Sequence, residues 1–238
     1  MSVTMDRSAR TGAVSVEGRG GVIEGGRWIA CAAFVYVVAW VIGLIIGLTS
    51  SAPAATDSAQ KIGTYFAAHR EAAMIQAYLL DGIAGIALIA FAATLRGALR
   101  RFESARTPLS TILFGAGVAA GTVSLMQGLF TQVLADRVAT MGNPAAIRAL
   151  YDLNTEGDTY KLLAIGLFLA ATSFLIVQTR ALPRWIAWFG LVLAPLLVIA
   201  GWTFVLSADS QYAAYAILLL ALLVWAGAVG VTSWRRAD

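Results

Sequence analysis

The chain has 238 residues, of which 59% are apolar and only 13% are charged, and its mean hydropathy is +0.77. A soluble domain carries about twice that charged fraction, so composition excludes an ordinary water-soluble protein. The net charge of +4 does not indicate nucleic-acid binding, because the basic residues lie at the ends of apolar blocks. The single cysteine and single histidine exclude an intrachain disulfide and bis-histidine haem ligation. We predict no metal and no cofactor.

Residues 1–27 are polar, rich in glycine and dotted with arginine, which predicts a flexible tail. Six apolar segments follow, each long enough to cross a bilayer as a helix. The predicted spans are about 28–48, 72–95, 110–135, 159–179, 185–206 and 212–234. Residues 235–238 form a second short tail. The sequence therefore predicts an all-α polytopic membrane protein with six transmembrane helices.

The polar connection between the first two spans, residues 49–71, has the periodicity of a short amphipathic helix. The residues that share one face of it are Ile62, Tyr65, Phe66 and His69. Asp57 or Ser58 is suited to cap its start. We predict a helix that lies at the membrane surface and continues into span two, with His69 as an interfacial packing residue.

The connection between spans three and four, residues 136–158, predicts a second short outer helix. Asn143 and Pro144 form a good N-cap and first turn. Apolar residues continue from there with helical spacing, and Gly157 can end the helix before span four begins.

The basic residues predict the orientation of the bundle. If both termini face the cytoplasm, 12 of the 17 basic residues lie on that side. The five on the outer side are Lys61, Arg70, Arg137, Arg148 and Lys161. The excess of positive charge in cytoplasmic loops therefore predicts an N-in, C-in topology, with both tails in the cytoplasm.

The position of Asp81 near the middle of span two is the one that costs the most free energy in the chain. An ionised carboxylate inside a bilayer costs a few kcal/mol or more unless it is paired, hydrated or protonated. Asp81 is about nine residues, or roughly 14 Å, below the outer surface. Gln127 on span three lies at a comparable depth, so an Asp81–Gln127 contact is natural. Lys161, shallower on span four, is a second possible partner.

Two interpretations of this polar group remain open. Asp81 is either a hydrogen-bonded acid that joins spans two and three, or a proton- or cation-coupled site in a crevice. The polar residues that would line such a crevice around Asp81 are Gln76, Tyr78, Gln127 and Gln132.

Small residues recur at helical spacing in two spans and predict close helix–helix contact. Span one holds Gly43 and Gly47 four residues apart. The stripe on span three includes Gly117, Gly121, Ser124 and Gly128. We expect partner subunits to pack against Gly117 and Gly121.

Residues 181–201, ALPRWIAWFGLVLAPLLVIAG, and the preceding YKLLAIGLFLAATSFLIVQT resemble the DUF4386-type family of small bacterial membrane proteins. The most distinct motif is Leu182-Pro183-Arg184-Trp185, and the resemblance covers about residues 28–205. It implies a multi-pass protein of the cell (inner) membrane, and the family supplies no agreed activity and no catalytic residues.

Sequence motifs favour a non-enzymatic protein. The chain has no HExxH, GxSxG, Walker or Rossmann pattern. We expect an accessory or assembly subunit of a larger membrane complex, with an envelope lipid-transport machine as one setting. The alternative is a small secondary transporter or lipid-binding protein in which Asp81 titrates. The expected partners are membrane lipids and other membrane subunits, with a homo-oligomer left open and no nucleic acid.

Overall fold

The computed structural model describes residues 23–49, 52–103, 108–206 and 212–237, and the regular structure within these ranges is entirely helical. The helices are α1 Gly26–Gly47, α2 Ala59–Ala68, α3 Arg70–Phe102, α4 Leu109–Met141, α5 Pro144–Thr179, α6 Arg184–Leu206 and α7 Tyr212–Arg235. All except α2 are long and apolar enough to cross a membrane. The all-α prediction with six spanning helices is confirmed.

The six spanning helices form a closed ring of contacts in chain order, because α7 returns to pack against α1. Aromatic side chains fill its centre. The ring centroids of Phe91 and Phe168 are 5.9 Å apart, and Trp225 lies 6.4 Å and 6.0 Å from them. Trp225 is fully buried, and its indole N–H donates to the Ile186 carbonyl at 3.1 Å, so its polar atom is satisfied inside the core.

The described residues just before α1 and just after α7 meet at one end of the bundle. Residues 1–22 of the predicted tail lie outside the described residues. Ile23 is buried and its N–H donates to the Arg236 carbonyl at 2.9 Å. Arg101 pairs with Glu24 at 2.6 Å at the same end. Helix α1 begins at Gly26, two residues before the predicted start of span one.

The small-residue stripe of α4 packs against α3. A Cβ added at Gly117 would collide with Ala92, and one added at Gly121 would lie 2.5 Å from Ile89. Gly128 lies where an added Cβ would be 3.0 Å from the Cβ of Asp81. The stripe is a close contact face, as predicted. The expectation that Gly117 and Gly121 face a partner subunit is wrong, because α3 of the same chain occupies that face.

The glycine pair of α1 also packs against α3. A Cβ added at Gly43 would lie 2.5 Å from Leu80, and one added at Gly47 would collide with Gln76. Since α1 and α4 both approach α3 through small residues, α3 is held closely between them. This close packing fixes the position of Asp81 along the axis of the bundle.

The first outer connection forms the predicted short helix, α2, but this helix ends at Ala68 and does not continue into α3. Ser58 caps α2, because its hydroxyl accepts a hydrogen bond from the Lys61 N–H at 3.3 Å. Ile62 and Phe66 are buried beneath the helix. His69 is exposed at the junction with α3, where the backbone departs from helical geometry.

The second outer helix does not exist as a separate element. Helix α5 continues for 36 residues from Pro144 to Thr179, with its first N–H groups capped by the side chain of Asn143 at 3.1 and 3.2 Å. Gly157 lies inside this helix instead of ending it. A Cβ there would be 2.9 Å from Gln127, so the glycine admits the Gln127 side chain of α4.

Candidate functional site

Asp81 lies in a π-helical turn, Tyr78–Ile83, within α3. A π-helical turn holds an additional residue, so it changes the direction of the side chains around it, and such turns recur at functional sites. The Cβ of Asp81 faces Gly128 of α4. The irregular turn and the neighbouring glycine bring the carboxylate into the space between α3, α4 and α5.

Lys161 of α5 is the charged partner of Asp81. Its Nζ is 2.7 Å from Oδ1 of Asp158 and 3.8 Å from Oδ1 of Asp81. The Lys161 side chain is only 5% exposed, and its ammonium lies 5.9 Å from the ring centre of Trp40. When all three groups are ionised, this cluster carries a formal charge of −1. Lys161 and Asp158 form a tight pair, while the contact to Asp81 is longer than a hydrogen bond.

Gln127 joins the same cluster from α4. Its amide nitrogen donates to the Asn154 carbonyl at 2.6 Å and to Asp158 at 3.1 Å. The expected Asp81–Gln127 hydrogen bond is not formed, because Gly157 lets the Gln127 amide turn towards α5. In the structure the charged neighbour of Asp81 is Lys161, which the sequence analysis gave as its second possible partner. The Oε1 atom of Gln127 is buried and has no hydrogen-bond partner among the described residues.

A cavity of about 290 Å³ opens beside the cluster, at the end of the bundle that carries α2. Helices α1, α2, α3, α4, α5 and α7 all contribute to its wall. Its polar lining is Gln76, Asp81, Gln127, Thr131, Asn154, Asp158 and Lys161. The charged cluster therefore forms one wall of a space large enough for a small solute.

The segment between α1 and α2 forms another part of the wall, and α5 holds it in place. The hydroxyl of Tyr151 donates to the Pro53 carbonyl at 2.6 Å. Arg148 donates to the Asp57 carbonyl at 3.0 Å. Lys61 donates a hydrogen bond to the Asp57 carboxylate, which keeps the pKa of Asp57 below its ordinary value.

Four of the six polar residues singled out from the sequence line this one cavity: Asp81, Gln76, Gln127 and Lys161. Gln132, half-buried on α4, and Tyr78, 59% exposed on α3, are not part of the lining. Within the described ranges, no three His, Cys, Asp or Glu side chains come together in a way that could hold a metal ion.

Sequence reasoning assigned no role to Asp158. The usable signal is the spacing of Asp158 and Lys161, three residues apart and therefore adjacent on a helix. That signal was hidden because Gly157 indicated a helix end, which would have removed Asp158 from the helix that carries Lys161.

These features define a small polytopic helical membrane protein with a buried charged cluster on the wall of a cavity. Residues 28–234 match the family model described as a domain of unknown function, DUF4386. The chain belongs to the DUF4386 family, which confirms the resemblance and extends it through α7. Comparisons with curated proteins and with solved structures find no match.

Proposed function

We propose that this protein is a small secondary transporter in which Asp81, Lys161 and Asp158 couple proton uptake to the occupancy of the cavity. The observation that carries the proposal is the buried cluster of net charge −1 on the cavity wall. Ionisable groups at membrane depth are costly, and they commonly mark ion or substrate pathways. In the N-in, C-in topology predicted from the basic residues, the cavity faces the outside of the cell.

The Lys161 ammonium lies closer to Asp158 than to Asp81, and this difference indicates what proton uptake changes in the cluster. With both carboxylates ionised, the Lys161 ammonium is held by Asp158 at 2.7 Å. A proton on Asp81, the more weakly paired carboxylate, removes the attraction that reaches 3.8 Å across to α3 and leaves the ammonium held by Asp158 alone. Protonation therefore loosens the tie between α3 and α5 and lets the ammonium shift towards its partner on α5.

The other titratable groups near the cluster are tyrosines. Tyr215 of α7 lies within electrostatic range of both carboxylates, and Tyr36 of α1 lies within range of Tyr215. Gln127, from α4, carries no charge. A proton taken up at neutral or mildly acidic pH therefore goes to a carboxylate, since a tyrosine hydroxyl is already protonated there.

Asp81→Asn is expected to leave the protein folded and to abolish most of a pH-dependent change in Trp40 fluorescence. The asparagine keeps the shape of the side chain but cannot titrate, and Trp40 lies against the Lys161 ammonium whose position changes. The measurement is tryptophan emission of the purified protein between about pH 4 and 9, which covers perturbed carboxylates. The same scan on Trp40→Phe isolates the Trp40 contribution.

Asp152→Asn is the matched control for this experiment. Asp152 lies on α5 as well, but it pairs with Arg148 at 2.8 Å and is half-exposed outside the cavity lining. Its variant should titrate like the wild type. If Asp81→Asn also titrates like the wild type, Asp81 takes no part in proton uptake and the proposal is wrong.

A second candidate function, an accessory subunit of a larger membrane complex, is supported by a different feature. An apolar groove of about 900 Å³ runs between α4, α5 and α6 on the outside of the bundle. Gly115 lies in this groove with open space beside its Cα, and Leu163 and Leu167 are more than half exposed there. A helix of another subunit would fit such a surface, and an envelope lipid-transport complex is one setting.

Gly115→Leu should release a stoichiometric partner if the groove is a subunit interface, because leucine fills the space that the partner helix would occupy. The measurement is co-purification from gently extracted membranes at native expression level, followed by mass spectrometry. Gly97→Leu is the control, because Gly97 also has open space beside it but lies outside the groove. Wild-type protein that purifies with lipid alone would contradict this second candidate.

A further inference from the structure

Asp81 is the less fully paired of the two carboxylates in the cluster. Its nearest cation is 3.8 Å away, and no described residue donates a hydrogen bond to it. Its side chain is 16% exposed and lines the cavity. The Asp81 carboxylate therefore retains acceptor capacity towards whatever occupies the cavity.

Gln127 provides an independent sign that the cavity accommodates a hydrogen-bond donor. The residue is 3% exposed and lines the same cavity, and its Oε1 has no partner among the described residues. The Gln127 amide nitrogen is already bonded to Asn154 and Asp158, so the orientation of the amide is fixed. Buried carbonyl groups normally have a donor, and an unpaired one calls for an explanation.

The remaining walls favour a cation over an anion. The aromatic residues that line the cavity are Trp40, Tyr65, Phe66, Tyr151 and Tyr215. Aromatic faces attract cations and pack against apolar groups. The formal charge of −1 on the cluster repels anions and is neutralised by one positive charge. The volume, about 290 Å³, lies at the lower end of ligand pockets, so the occupant is small.

We propose that the cavity binds a small protonated primary amine. Its ammonium donates hydrogen bonds to Asp81 and to Oε1 of Gln127, and its apolar part packs on the aromatic wall. A primary ammonium fits better than a quaternary one, because only N–H groups satisfy both acceptors. This inference rests on the proposed function. The amine is the transported solute, and its positive charge replaces the proton bound to Asp81.

The test is calorimetric titration of the full-length protein in lipid nanodiscs with phenethylamine as the probe. 2-Phenylethanol, which has the same carbon skeleton without the charge, is the ligand control. Saturable binding of the amine without binding of the alcohol is expected. Binding should weaken as the pH falls, since protons and the ammonium compete for Asp81. Equal binding of amine and alcohol, or no binding of either, overturns the proposal.

Variants of the two acceptor residues, Asp81 and Gln127, test whether the amine binds to them. Asp81→Asn should weaken the affinity by about tenfold or more, because charge-assisted hydrogen bonds are among the strongest. Gln127→Leu should weaken it by a smaller factor, and Asp152→Asn should leave it unchanged. Unaltered affinity in Asp81→Asn places the amine elsewhere and contradicts the proposal.

The two proposals fail in different ways. If Trp40 fluorescence titrates through Asp81 and phenethylamine does not bind, the proton-linked site stands and the amine assignment is wrong. If phenethylamine binds through Asp81 while the fluorescence does not titrate, the cavity is an amine site without proton coupling, and the transporter proposal is wrong.

Discussion

Lys161→Met is expected to lower the free energy of unfolding by about 3–5 kcal/mol, because it leaves buried carboxylates without their cation. The Lys161 ammonium is within 4 Å of both Asp81 and Asp158, and its side chain is almost fully buried. Methionine keeps most of the side-chain volume, so the loss reports charge and not packing. Reversible unfolding of the purified protein in mixed detergent micelles gives the free energy.

Two variants test whether the loss comes from the buried cluster. Adding Asp158→Asn to Lys161→Met removes one of the unpaired carboxylates, so the double variant should be more stable than the sum of the single effects predicts, by about 0.5–3 kcal/mol. Arg148→Met breaks a half-exposed pair on the same helix and should cost less, about 1 kcal/mol or below. Equal losses for Lys161→Met and Arg148→Met would show that water screens the cluster.

The number of spanning helices was predictable from sequence because bilayer thickness sets the length of an apolar segment. The ends of α1 and α6 fall within two residues of their predicted limits. Asp81 was predictable for a related reason. A charge inside an apolar segment must be compensated, so its position alone marks a polar site.

The partner of Asp81 was not predictable from depth alone. Depth placed Gln127 opposite Asp81, but it gave no information on which way each side chain turns. Two local features decided that direction: the π-helical turn at Tyr78–Ile83 and the space that Gly157 leaves for Gln127. In single-sequence reasoning a glycine near a polar connection indicates a helix end, whereas here it serves a close contact inside α5.

Which helix packs against the small-residue stripe of α4 was not predictable from the sequence either. Small residues at helical spacing indicate a close helix neighbour but do not say whether the neighbour belongs to the same chain. Only the ring of helices shows that α3 occupies the stripe. Substitution of these glycines therefore cannot distinguish an accessory subunit from a transporter, because both need α3 and α4 to pack.

Gly121→Leu is expected to lower the free energy of unfolding by about 1–3 kcal/mol or more, as added volume does in a packed interior. A Cβ at this position would lie 2.7 Å from the backbone carbonyl of Gly85 and 2.5 Å from Ile89. Ile89 can change rotamer, but the Gly85 carbonyl moves only if α3 moves as a whole. The same unfolding measurement gives the size of the effect.

Gly115→Leu is the matched control on the same helix, because an added side chain there meets open space. Its effect on the free energy of unfolding should stay within about 0.5 kcal/mol. Since Asp81 lies on α3, a displaced α3 should also alter the Trp40 titration in Gly121→Leu and leave it intact in Gly115→Leu. Similar stability of the two variants would mean that α3 and α4 do not approach as closely as Gly85 and Gly121 indicate, and the position of Asp81 would then lose its structural basis.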